Sequence, residues 1–93
     1  MTKKRFASVW DAIEDTPEET ENMKLRSTLM MALRNHIAKT GMSQAQAAKL
    51  FSVTQPRVSD LMRGKINLFG LDALVNMATA AGLQIEMQVH EPA

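Results

Sequence analysis

Residues 43–65 read SQAQAAKLFSVTQPRVSDLMRGK, and this stretch decides the fold. Ser43 followed by Gln46 has the spacing of a capping box, in which the hydroxyl accepts from the backbone N–H three residues on and the glutamine side chain reaches back. Ala47, Ala48, Leu50 and Phe51 then give a short helix its apolar inner side, the alanines small enough for close helix approach. Ser52-Val53 leaves almost no connection before Thr54, which reads as the N-cap of another helix. Pro56 falls in the first turn of that helix, where its missing N–H costs nothing, and Gly64 closes it.

Two short capped helices joined by so small a turn must cross steeply, with the second pushed outward; this is helix-turn-helix geometry. Counting 3.6 residues per turn from Thr54 turns Val58 and Leu61 inward and Gln55, Pro56, Ser59, Asp60 and Arg63 outward. The outward set is polar where a core helix would be apolar. An ordinary helical hairpin is the plainer reading, but the two caps, the minimal turn and the polar flank favour a nucleic-acid reader. A helix fits the major groove, where Gln pairs bidentately with adenine, Arg with guanine, and Ser with several edges. Thr54, Gln55, Arg57, Ser59 and Asp60 are therefore the candidates for base readout. Asp60 is the awkward member, because phosphates repel a carboxylate unless it accepts from a cytosine amine or pairs with Arg57 or Arg63. Ser43 and Gln44 stand at a helix N-terminus, which favours phosphate, and Arg63 and Lys65 flank the same backbone. Such contacts set register and salt-sensitive affinity without carrying sequence information.

Upstream, Thr16-Pro17-Glu18-Glu19 combines an N-cap, a first-turn proline and an acid able to return a bond to the cap, so a long helix begins there. Leu25, Leu29, Leu33 and Ile37, with Met30 beside them, predict one buried stripe along it, and Gly41 its stop. Ser8 with Asp11 three residues on predicts a short preceding helix to about Asp15. Downstream, residues 65–69 read as a loop, and Leu71, Leu74, Val75, Ala78 and Ala81 mark a further core helix ended by Gly82. Residues 83–90 alternate apolar and polar, the period of a half-buried strand whose apolar side is Leu83, Ile85, Met87 and Val89. One strand cannot stand alone, so it needs a symmetric copy or an extended stretch near Phe6 as its partner.

The chain of 93 residues is the size of one domain, with 45% hydrophobic and 23% charged residues, which excludes long disorder. It has no cysteine, which rules out a disulfide framework or a thiolate zinc site and is consistent with a cytoplasmic setting. No apolar run approaches membrane-spanning length, and no signal-peptide core follows Lys3, Lys4 and Arg5. The net charge of +1 hides a lopsided distribution. Residues 11–21 hold six acids and no base, whereas residues 24–65 hold eight bases and one acid, making the middle a candidate polyanion surface. His36 and His90 stand without the Cys, His or carboxylate neighbours a metal site needs, so neither a metal nor a cofactor is implied. No nucleophile elbow, phosphate loop or acid–base pair points to an enzyme. The eight methionines suit gap-filling in a helical core better than an adaptable partner groove. Trp10, with Val9 and Ile13, either lids the core or anchors a partner.

Residues 43–65 resemble, without a gap, the motif of the Xre/Cro (lambda-repressor-like) family. The likeness extends toward HigA-like antitoxins through the Thr16-Pro17-Glu18-Glu19 opening, the Gln55-Pro56-Arg57-Val58-Ser59 run and Leu71-Asp72-Ala73-Leu74-Val75. Together the reading and the resemblance imply a mainly α, lambda-repressor-like bundle of four to five helices with one C-terminal β-strand paired across a dimer. Residues 1–93 form a single domain on this view, with an extension at 1–16, a helical core at 17–82 and the strand at 83–90. The implied function is a sequence-specific, homodimeric repressor of a double-stranded DNA operator. It would also be the antitoxin of a small basic HigB/RelE-type toxin, an mRNA endonuclease, and would repress its own operon. A stand-alone phage or prophage repressor is the alternative. A toxin would be held by Trp10, Asp11, Glu14 and Asp15 or by the terminal strand, which could add to a sheet edge. Ser52 departs from the family, which usually has glycine in that turn, and this implies some local strain.

Overall fold

A computed structural model of the protein describes residues 16–92. Four α-helices follow one another: α1 is Pro17–Thr40, α2 Gln44–Phe51, α3 Gln55–Met62 and α4 Leu71–Ala80, with a 3-10 turn at Ile66–Leu68 before α4. The long α1 begins where Thr16 Oγ1 accepts from the Glu19 N–H at 3.0 Å and ends at Gly41, whose N–H returns to the Ile37 carbonyl. It packs against α4, α3 and the 3-10 turn, while α2 lies against α3 and α4.

The core lies where these helices meet. Leu33, Ala47, Val58, Leu61 and Leu74 are completely buried, and Met30, Ile37, Ala48, Phe51, Phe69, Met77 and Ala78 nearly so. The core side of α1 starts a turn later than the leucine spacing predicts. Leu25 remains 40% exposed and Leu29 half-buried, because Leu25 faces a shallow groove against Leu71, Val75, Ile85 and Met87 and not the centre of the bundle. Phe69, at the end of a segment read from sequence as a plain loop, is among the largest fully buried side chains.

The expected C-terminal strand is corrected. Among the described residues there is no β-ladder, and residues 83–90 run without regular secondary structure. A ladder needs a second backbone, and no other described segment of this chain is extended alongside to supply one. The apolar positions of the alternation leave the core step by step. Leu83 packs against it, whereas Ile85 is 41%, Met87 64% and Val89 86% exposed. The short helix expected before α1, together with Trp10, Asp11, Glu14 and Asp15, lies outside the described residues.

Candidate nucleic-acid interface

The turn between α2 and α3 and the turn after α3 are built alike. At the end of α2, Ser52 takes a left-handed conformation (φ 59°, ψ 43°), its N–H donating to the Lys49 carbonyl and the Val53 N–H to the Ala48 carbonyl. At the end of α3, Gly64 does the same at φ 73°, with its own N–H on Leu61 and the Lys65 N–H on Asp60. Both are Schellman stops, a geometry that satisfies the last helical carbonyls and fixes the direction in which the chain leaves.

At the start of α2 the capping box closes as predicted. Gln46 N–H donates to Ser43 Oγ at 3.1 Å, and the Ser43 N–H donates to Gln46 Oε1 at 2.9 Å. Ser43 and Gln44 are exposed there. Thr54 holds the N-cap backbone of α3 (φ −80°, ψ 159°) but makes no side-chain cap bond, contrary to the sequence expectation. A capping hydroxyl bonds the N–H of the second or third helical residue, and Pro56 removes the first of these. The third, Arg57, gives its N–H to the Thr54 carbonyl at 3.1 Å. The threonine hydroxyl is left exposed and uncommitted beside Gln55 and Pro56, which are exposed too.

Val58 and Leu61, fully buried, fasten α3 to the bundle and turn its other flank outward. On that flank Gln55 and Arg63 are exposed and Ser59 and Asp60 half-buried. Two of the base-readout candidates are already engaged. Asp60 pairs with neither Arg57 nor Arg63 but with Lys65, Oδ1 to Nζ at 3.9 Å. The Schellman stop explains this choice, since it sets the second residue beyond the helix beside the one five places earlier. Arg57 donates from Nη1 to the Leu68 carbonyl at 2.7 Å and lies over the Phe69 ring, 4.1 Å from its centroid. Arg26 reaches the same turn from α1, its Nη1 3.5 Å from the Ile66 and Phe69 carbonyls. The sequence gives no local sign of this convergence, because the partners lie 11, 40 and 43 residues apart.

The surface assembled by α2, α3 and their turns thus combines a helix N-terminus, an uncommitted hydroxyl, an amide and several cations. Residues 12–90 match the model of a helix-turn-helix domain family. Among solved structures, one described as an XRE family transcriptional regulator superposes with a TM-score of 0.71 at 27% sequence identity, covering 78% of this chain and 82% of the other. No curated protein sequence matches the chain.

Proposed function

We propose, from the premise that this chain belongs to the helix-turn-helix domain family, that it is a DNA-binding transcriptional regulator of the Xre type whose α3 enters the major groove of a specific operator. One observation carries the reading: α3 buries Val58 and Leu61 completely while Thr54, Gln55 and Arg63 stand exposed on a hydrophilic flank. Gln55, Thr54 and Ser59 are the base-edge readers on this reading, Gln55 being suited to bidentate recognition of adenine. Ser43 and Gln44 at the α2 N-terminus, with Arg63 and Lys65 after α3, take phosphates. The Lys65 ammonium offsets the charge of Asp60, so the carboxylate can sit near the groove and accept from a cytosine amine.

Two copies would act on a two-fold operator, joined through the exposed apolar positions Ile85, Met87 and Val89, while Leu83, the first of the expected contact positions, packs against the core. The finer role that fits is that of a repressor which is also the antitoxin of a small basic HigB/RelE-type toxin. It is supported by the resemblance to HigA-like antitoxins and by the acidic run at residues 11–21, whose Glu18, Glu19 and Glu21 are exposed at the start of α1. Co-expression with the product of a small reading frame beside its gene should then rescue growth and co-purify. Failure of both would leave a stand-alone phage-type regulator.

Gln55→Ala should cost about 1–3 kcal/mol and relax the preference at a single operator position. Arg63→Ala should weaken all duplexes alike and lower the salt slope by about one. Titrations of both variants over a salt series check this, and binding indistinguishable from the unsubstituted protein throughout would refute it.

A further inference from the structure

We propose that Arg57 is a positioning residue, not a base reader: it staples the start of α3 to the 3-10 turn that follows α3, and through that turn it places Lys65. The inference rests on the DNA-binding reading above. Arginine is suited to both contacts observed, because its planar guanidinium donates along its edge and stacks with its face. Here the edge meets the Leu68 carbonyl at 2.7 Å, the short range typical of a charge-assisted bond, and the face covers Phe69. Phe69 is 1% exposed and cannot follow the guanidinium elsewhere. To reach a base, Arg57 would have to give up both partners.

The staple leads to Lys65 in two steps. Arg57 holds the Leu68 carbonyl, and the N–H of the same residue donates to the Lys65 carbonyl at 3.0 Å. The other side of Lys65 is tied to α3 through its N–H on the Asp60 carbonyl at 3.1 Å. Arg26 braces the turn from behind through the carbonyls of Ile66 and Phe69. Lys65 is therefore held between the recognition helix and a turn that two arginines keep in place, while its side chain is about half exposed (47%). A residue acting in this way governs how well every duplex is bound and leaves unchanged which base pair is preferred.

The test begins with selection of binding duplexes from a randomised library by the unsubstituted protein. Dissociation constants follow for the selected duplex and each of its single-base-pair variants, with Arg57→Lys, Phe69→Leu, Lys65→Ala and the double variant R57K/K65A. Arg57→Lys keeps the charge but loses the stacked fork. It should weaken every duplex by the same factor, about tenfold, the worth of one charge-assisted contact. Phe69→Leu, checked by circular dichroism for native helix content, should do the same with Arg57 still present. In the double variant the loss should exceed that of Lys65→Ala by less than about twofold, since contacts acting through one another are not additive. Lost discrimination at a single base pair in Arg57→Lys, unchanged affinity, or full additivity with Lys65→Ala would each overturn the inference. If Phe69→Leu does not fold, the Arg57 and Lys65 cycle decides by itself. If the unsubstituted protein enriches no duplex, the DNA-binding reading falls and takes this inference with it, whereas loss at one base pair sinks this inference alone.

Discussion

Ser52 is the one residue other than glycine with a positive φ among those described, and it stands where the Schellman stop between α2 and α3 requires a left-handed residue. For an L-residue that conformation costs roughly 1–2 kcal/mol, from the approach of Cβ to the following carbonyl oxygen. Glycine removes the cost but loses about 0.4–1 kcal/mol through the greater freedom of the unfolded chain. The difference favours glycine, so Ser52→Gly should stabilise the fold by about 0.5–1 kcal/mol, read as a rise in the urea midpoint at unchanged slope. A lower midpoint would mean that the serine side chain contributes more than its strain removes. Gly64 occupies the matching place after α3, and there the demand is stricter. A Cβ at that position would come within 3.3 Å of Arg34 Nη1 in addition to meeting the backbone strain. Of the two stops around α3, the one with serine is the one open to improvement.

At the scale of the element, α3 is a helix of eight residues that could not stand alone and owes its place to two side chains, Val58 and Leu61. Leu61→Ala should therefore cost about 2–5 kcal/mol, a large share of the roughly 5–15 kcal/mol by which such domains are stable. Gln55→Ala, on the opposite flank, should stay within about 0.5 kcal/mol. Thermal melts followed by circular dichroism separate the two, and similar losses for both would place the helix in a different rotation. This rotation was legible in the sequence, as were the helices and most of their ends, because caps, prolines and periodicity act within a few residues. What was not legible depends on partners far along the chain. Phe69 is buried because it joins the core cluster, with Arg57 over its ring, although it is an isolated aromatic with no periodic neighbours. Leu25 has perfect helical spacing but faces the groove lined by Leu71, Val75, Ile85 and Met87, which lies outside the core. The Thr54 hydroxyl makes no cap bond, although residue type and position are those of a cap, and the Arg57 N–H goes to the Thr54 carbonyl. Alternation at residues 83–90 is real, but a ladder is a property of two segments and periodicity describes one.

At the scale of the molecule, an apolar edge formed by Ile85, Met87 and Val89, with Leu25 beside it across the groove, has no counterpart among the described residues. Regulators that read a two-fold operator present two recognition helices about 34 Å apart, one per half-site. The joined pair gains affinity because binding of the second half-site becomes intramolecular, a gain of about 10²–10⁴ over either half alone. If the edge joins two copies, a charge at its middle should separate them without touching the helical core, since Met87 is 64% exposed in the single chain. Met87→Asp should then sediment as a monomer where the unsubstituted chain sediments as a dimer, and should melt at nearly the same temperature. Its affinity for the full operator should drop toward that for a single half-site, while affinity for an isolated half-site duplex stays as it was. This pairing of results matters, because damage to α3 would lower both affinities and unfolding would abolish both. A Met87→Asp protein that still sediments as the dimer would place the contact between copies elsewhere on the molecule, and a chain that is monomeric without any substitution, yet binds the full operator no better than a half-site, would remove the two-fold model altogether.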